Sequence, residues 1–267
     1  CSQSCMGPVE RLIPKAIPRE VMYHGVDPDF FSGPSDPDSI RKKINLGKGQ
    51  KLISVIGRLQ HWKGQDLFIR AASRVAKEYP ESCFAIVGGS LFGLEEDYPK
   101  QLERLIDACG LNGRCKLVGH QSNVRDWMAA SDIVVHTARL PEPGANTVLE
   151  AMAIGRPVIA SACGAPVEII QSGEDGLLFK PEAVDELASH MLHLLSDQPL
   201  AEKLGQAASI KIRSLFTAKD MTARVEKVLE RILLYKTSPP NFLPRTIFFT
   251  VSSCRRAGHE TMVRNMI

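Results

Sequence analysis

The chain has 267 residues, 44% hydrophobic and 24% charged, with a formal net charge of +3. This is the composition of a globular protein large enough for one sizeable core. The charge is too small to argue for a nucleic-acid partner, and no apolar run is long enough to cross a bilayer.

Residues 1–45 are irregular and Pro-rich and read as a lead-in with little core of its own. From Lys51 onward, short β-branched runs alternate with amphipathic stretches. Strands are predicted over 52–56, 84–87, 116–118, 132–136, 157–160 and 177–179. Helices are predicted between them over 65–78, 99–109, 124–130, 147–154 and 167–171. Strict strand–helix succession predicts βαβ units: an α/β fold with a Rossmann-like parallel sheet and helices on both faces. After Phe179 the strands stop, and C-terminal helices are predicted over 183–195, 200–215 and 218–235. In the last of these, Met221, Val225, Val228, Leu229, Ile232 and Leu233 recur at helical spacing. Thr237-Ser238-Pro239-Pro240-Asn241 then breaks the pattern. A strand over 246–251 and a helix-like run over 260–267 follow. The domain reading is a lead-in over 1–45, one Rossmann-like domain over 46–236, a linker over 237–245 and the start of a further unit over 246–267.

Seven cysteines, an odd number with no CxxC pair, argue against a zinc site. They favour free thiols in a cytoplasmic protein over a secreted disulfide framework. The histidines share no ligand spacing; His190 and His193 read as face and edge of one amphipathic helix. No GxSxG, P-loop or HExxH motif is present, and no metal or cofactor is predicted.

In an open parallel sheet, ligands bind beyond the carboxyl ends of the strands, and the notable residues fall there. Arg58 and Lys63 share the loop after the first strand, where a guanidinium and an ammonium suit a diphosphate. The alternative reading is two solvated surface cations, as most Lys and Arg are. Glu142 precedes a predicted helix start and Glu150 lies within the helix. Carboxylates at these places accept hydrogen bonds from sugar hydroxyls. Glu150, among Leu149, Ala151 and Met152, needs a partner, which a ribose diol or a structural Arg would supply. Gly144, Ala145, Asn146 and Thr147 would offer backbone amides to phosphates at that helix start, although Asn146 and Thr147 are also ordinary N-cap types. Two acids around an anion-binding helix start point to a nucleotide-sugar site.

Three segments resemble the C-terminal, donor-binding domain of retaining glycosyltransferases of the GT-B fold, family 4 type. They are Gly57-Arg58-Leu59 with Lys63-Gly64; the Glu-x7-Glu motif from Glu142 to Glu150 with its Gly155-Arg156-Pro157 exit; and Gly164 to Glu168 with Gly173 to Leu178. His24-Gly25-Val26-Asp27 is similar to the family's NGVD lead-in. The resemblance covers residues 20–235 and implies transfer of a sugar with retention of configuration. It implies that Arg58 and Lys63 bind the donor diphosphate, Glu142 faces the sugar and Glu150 holds the ribose. Backbone from Gly119 and His120 to Val124 would contact the base. It also implies no required metal, a glycan or glycolipid acceptor, and peripheral membrane association through that acceptor. The acceptor-binding N-terminal domain of such enzymes would precede this chain. The chain departs from the family at Gly144-Ala145, where Phe-Gly is usual, and at His24, where Asn is usual. Residues 245–267, with Ala257-Gly258-His259-Glu260, are similar to the start of a family N-terminal domain. A non-catalytic nucleotide-sugar-binding module and a GT-B sugar-nucleotide epimerase are the alternatives.

Overall fold

The computed structural model describes residues 2–6, 20–90 and 95–236. The linker and further unit expected after 236 lie outside the described residues. Two short helices, α1 (Pro28–Ser32) and α2 (Pro37–Lys43), precede the sheet. Each begins with an Asp cap followed by Pro: Asp27 accepts from the amides of Asp29 and Phe30, and Asp36 from that of Ser39. Ile40 and Ile44 are buried against the domain. Over 20–45 the chain is therefore not the irregular lead-in expected from its prolines. The Asp-Pro pairs start helices there rather than breaking structure.

Six strands form one parallel sheet. They are β1 (Lys51–Ile56), β2 (Ser82–Val87), β3 (Cys115–Gly119), β4 (Ile133–His136), β5 (Val158–Ser161) and β6 (Leu177–Phe179). Their order is β3-β2-β1-β4-β5-β6, with Val55 beside Ile86 on one side of β1 and Ser54 beside Val134 on the other. The order reverses between β1 and β4, which opens a crevice at their carboxyl ends.

The helices between and after the strands are α3 (Gln65–Glu78), α4 (Tyr98–Ala108), α5 (Val124–Ala130), α6 (Asn146–Ile154) and α7 (Pro166–Ile169), then α8 (Val184–Ser196), α9 (Gln198–Leu215) and α10 (Ala218–Lys236). Alternation along β1 sends its side chains to two cores. Ile53 and Val55 meet Phe68 and Val75 of α3, Leu102 of α4 and Met191 of α8. Leu52 and Ile56 meet Trp127 of α5, Val148 and Met152 of α6 and Ile212 of α9. Ser54, also buried, accepts from the Ser131 hydroxyl at 2.7 Å, so this polar side chain inside β1 is satisfied. The predicted apolar face of α10 is shallow: Met221, Val225 and Val228 are half-buried and Leu229 is exposed. Helix and strand ends otherwise move by one or two residues from the expectation, as capping decides them. Among the described residues no helix is long and apolar enough to cross a membrane. Cys83, Cys109, Cys115 and Cys163 are free thiols, and of these only Cys115 is buried.

Candidate functional site

The crevice between β1 and β4 is built by two loops stitched together. The loop after β1 runs through Arg58 and a single 3-10 turn, His61–Lys63, to Gly64. Gly64 sits at φ +69° with the Thr137 carbonyl 2.2 Å from where a Cβ would stand, so only glycine lets the loops approach this closely. The Thr137 hydroxyl donates to the Lys63 carbonyl at 2.7 Å. The Arg139 amide donates to the Trp62 carbonyl at 2.7 Å, and the Arg139 guanidinium grips both oxygens of Asp66 at 2.6 and 2.7 Å. Gln65 donates to the Arg58 carbonyl at 2.8 Å.

This frame brings Lys63 against Glu142. The Lys63 Nζ lies 2.5 Å from Glu142 Oε1 and 4.4 Å from the centre of the Trp62 ring. The other oxygen of Glu142 accepts from His136 Nε2 at 2.6 Å. Burial pushes the Glu142 carboxyl up, but the His136 hydrogen bond and the His136 and Lys63 charges outweigh it and hold it at about 2. Burial also pulls the Lys63 ammonium down, against the attraction of Glu142. The Glu142 backbone is fixed as well: it bridges to Gly164, and its carbonyl accepts from the Ala165 amide at 2.8 Å. Arg58 stands exposed at the rim of the same loop, near enough for its charge to depress Lys63.

Helix α6 starts beside this pair. Its N-cap is Ala145, in the left-handed region at φ 42°, and no side chain caps it. Capping, the structural alternative for Asn146 and Thr147, is thus not realised. Asn146 Oδ1 instead meets His24 Nδ1 at 2.7 Å. The start of α6 is left without a side-chain cap, and uncapped helix-start amides are suited to binding an anion. The two departures from the family pattern touch each other here: a Cβ on residue 144 would fall 2.5 Å from the His24 ring. His24 fits because residue 144 is glycine.

Glu150, one turn further along α6, faces a different place. With Phe30, Phe31, Ser122, Asn123, Val124, Arg125 and Asp126 it lines a cavity of about 230 Å³. Burial alone pushes its carboxyl up to about 7; among the described residues no Arg pairs with it, Arg125 of the same cavity donating instead to the Phe30 carbonyl. Val124 joins Glu150 in this cavity. Gly119, at φ 72°, and exposed His120 lie at the neighbouring rim, where the Gly119 carbonyl accepts from the Gly88 amide at 2.9 Å. A Cβ on Gly88 would fall 1.8 Å from the Gly57 carbonyl oxygen, so the loops after β1, β2 and β3 close on one another.

The sequence reading missed His136, Asp66 and Arg139. The signal for His136 was its place, a polar residue ending the buried run Ile133-Val134-Val135 at the switch-point strand. Asp66 and Arg139 are far apart in sequence, and nothing local marks them as a pair. Among the described residues no three His, Cys, Asp or Glu side chains gather as a metal-binding group.

A parallel domain of this order, with its crevice at the switch point, has the architecture of the C-terminal half of a GT-B glycosyltransferase. The chain belongs to the glycosyl transferases group 1 family, whose model matches residues 36–211. It is 31% identical over 185 residues to the lipopolysaccharide core biosynthesis mannosyltransferase LpsB of Rhizobium meliloti (strain 1021), covering 68% of this chain and 52% of that protein. Among solved structures it is similar to Anabaena Alr3699/HepE in complex with UDP-glucose, with a TM-score of 0.80 and 28% identity over 86% of this chain and 62% of that one. The C-terminal domain of the group 1 protein LpcC from Francisella tularensis matches over its whole length and 73% of this chain, with a TM-score of 0.64 and 28% identity. The chain spans about half the length of the curated relatives it matches.

Proposed function

We propose that this chain supplies the donor site of a retaining glycosyltransferase that moves a hexose from a nucleotide sugar to a glycan or glycolipid. One observation carries the reading. At a single switch-point crevice, Lys63, Glu142 and the open start of α6 stand beside a cavity whose carboxylate, Glu150, has only burial acting on it. The nucleoside would enter that cavity, its ribose diol donating to Glu150 and its base lying along residues 119–124. The diphosphate would meet the α6 amides, Lys63 and Arg58. The sugar would then lie against Glu142. As the bond from sugar to diphosphate breaks, negative charge grows on the leaving oxygen, and fixed cations and amides stabilise it most at that moment. Arg58 and Lys63 perform this role without a resident metal. The UDP-glucose held by the similar Anabaena protein and the mannosyl transfer named for LpsB support the nucleotide-sugar class. The acceptor comes from the other half of the cleft, and a lipid-linked acceptor brings the protein to the membrane surface from the cytoplasmic side.

The test is a transfer assay on the whole protein with a panel of UDP-, GDP- and ADP-hexoses. Transfer should persist in EDTA, give a product with the donor's anomeric configuration, and fall at least 100-fold in Arg58→Ala and Glu142→Ala. Donor binding without turnover would favour a binding module instead. A donor recovered with one inverted sugar carbon would favour an epimerase.

A further inference from the structure

We infer that His136 is a positioning residue for Glu142, holding that carboxylate on the donor sugar when Lys63 turns to the diphosphate. This rests on the donor-site reading above. His136 closes β4 and is 5% exposed, inside a strand whose other residues are apolar. Glu142 is ionised and only accepts, so His136 Nε2 carries the hydrogen and donates at 2.6 Å. The second ring nitrogen, Nδ1, is buried with no partner. A half-satisfied imidazole is a poor way to fill a core position, where an apolar side chain would leave no orphan. What the imidazole adds is the one bond to Glu142.

The geometry points to why that bond is needed. Glu142 is held at both oxygens, Oε1 by Lys63 and Oε2 by His136. Lys63 sits on a flexible stem, and a diphosphate presents it with more negative charge than one carboxylate does. When Lys63 leaves, Oε1 is freed, and a sugar hydroxyl can donate to it. The carboxylate would then swing about its own side-chain torsions, because the Ala165 and Gly164 contacts fix only its backbone. His136 cannot follow Lys63: its backbone is paired in the sheet and its ring is buried. It keeps Oε2 in place, so Oε1 stays aimed at the sugar.

The experiment compares the wild-type whole protein with His136→Leu, which removes the donor, and His136→Gln, which restores an N–H near the Nε2 position. Affinity and stoichiometry for UDP, GDP and ADP are measured by calorimetry, and transfer is measured with the matching hexose donor. Turnover per nucleotide-binding site should fall roughly tenfold in His136→Leu, the loss of about one hydrogen bond to a charged group. The nucleoside diphosphate Kd should move less than twofold, and His136→Gln should regain most of the rate. Unchanged turnover in His136→Leu overturns the inference, as does a loss of nucleotide affinity in step with turnover, which would mark a purely structural role. If the wild-type protein binds none of the three nucleotides, the donor-site reading itself falls, and the inference with it.

Discussion

Replacing Glu150 by Gln should remove a pH dependence of stability whose sign is unusual for a carboxylate. In the folded protein burial pushes the Glu150 carboxyl from 4.5 up to about 7. Between these values the folded state holds a proton that the unfolded chain has lost, so stability falls as the pH rises from 4.5 to 7 and is flat above. A displacement of that size corresponds to about 3 kcal/mol across the window. Gln cannot ionise and keeps nearly the same volume, so the variant lacks only this contribution. Denaturant unfolding of both proteins at intervals from pH 4.5 to 8 gives the difference directly, since all other titrating groups cancel. Wild type minus Glu150→Gln should become less favourable by about 3 kcal/mol toward pH 7. A difference that stays flat, or that rises with pH, refutes the claim that this carboxylate is buried without a partner.

Three further outcomes are expected. Glu142 has the opposite sign: held at about 2 in the folded state, its contribution is full above 4.5 and is lost as pH falls through 2, so Glu142→Gln should flatten acid unfolding by about 3 kcal/mol. Gly164→Ala should destabilise by more than about 2 kcal/mol in denaturant unfolding, because residue 164 is at φ +80° and a Cβ there falls 2.3 Å from the Glu142 amide nitrogen. Gly144→Ala should cost about 1–2 kcal/mol alone and markedly less in a His24→Ala background, because the added Cβ meets the His24 ring; a double-mutant cycle measures the coupling.

Much of this fold was legible because parallel strands buried on both faces read as short continuous β-branched runs, and each is followed by a helix with one apolar face. Leu52-Ile53-Ser54-Val55-Ile56 and Ile133-Val134-Val135 are such runs. The lead-in was misread because Asp27-Pro28 and Asp36-Pro37 look like turn signals until the residues behind them are known to bury Ile40 and Ile44. At the candidate site, Lys63 and Glu142 were legible because they follow strands on the side where open parallel sheets bind ligands, and Glu150 because it is a charge among apolar neighbours. Their division was not. Periodicity locates Glu142 and Glu150 near one helix but says nothing of which loop crosses above each. Lys63 reaches Glu142 only because Thr137 and Arg139 tie two loops together across the switch point.

That division bears on how a donor would be received. Glu142 is held at about 2, well below the usual carboxylate range, by its contacts with His136 and Lys63. Glu150 is close to half protonated at neutral pH, so it presents less negative charge to an incoming diphosphate than an exposed carboxylate would. Ribose hydroxyls donate best to the ionised form, so nucleotide binding below pH 7 must release the Glu150 proton. On the donor-site reading, affinity for a nucleoside diphosphate should therefore weaken as pH falls below 7, approaching about tenfold per pH unit, and binding near pH 6 should release close to one proton. Calorimetry in buffers of different ionisation enthalpy reads that release. Glu150→Gln should abolish it, while Glu142→Gln should leave it intact, because only one of the two acids changes its protonation when the site fills.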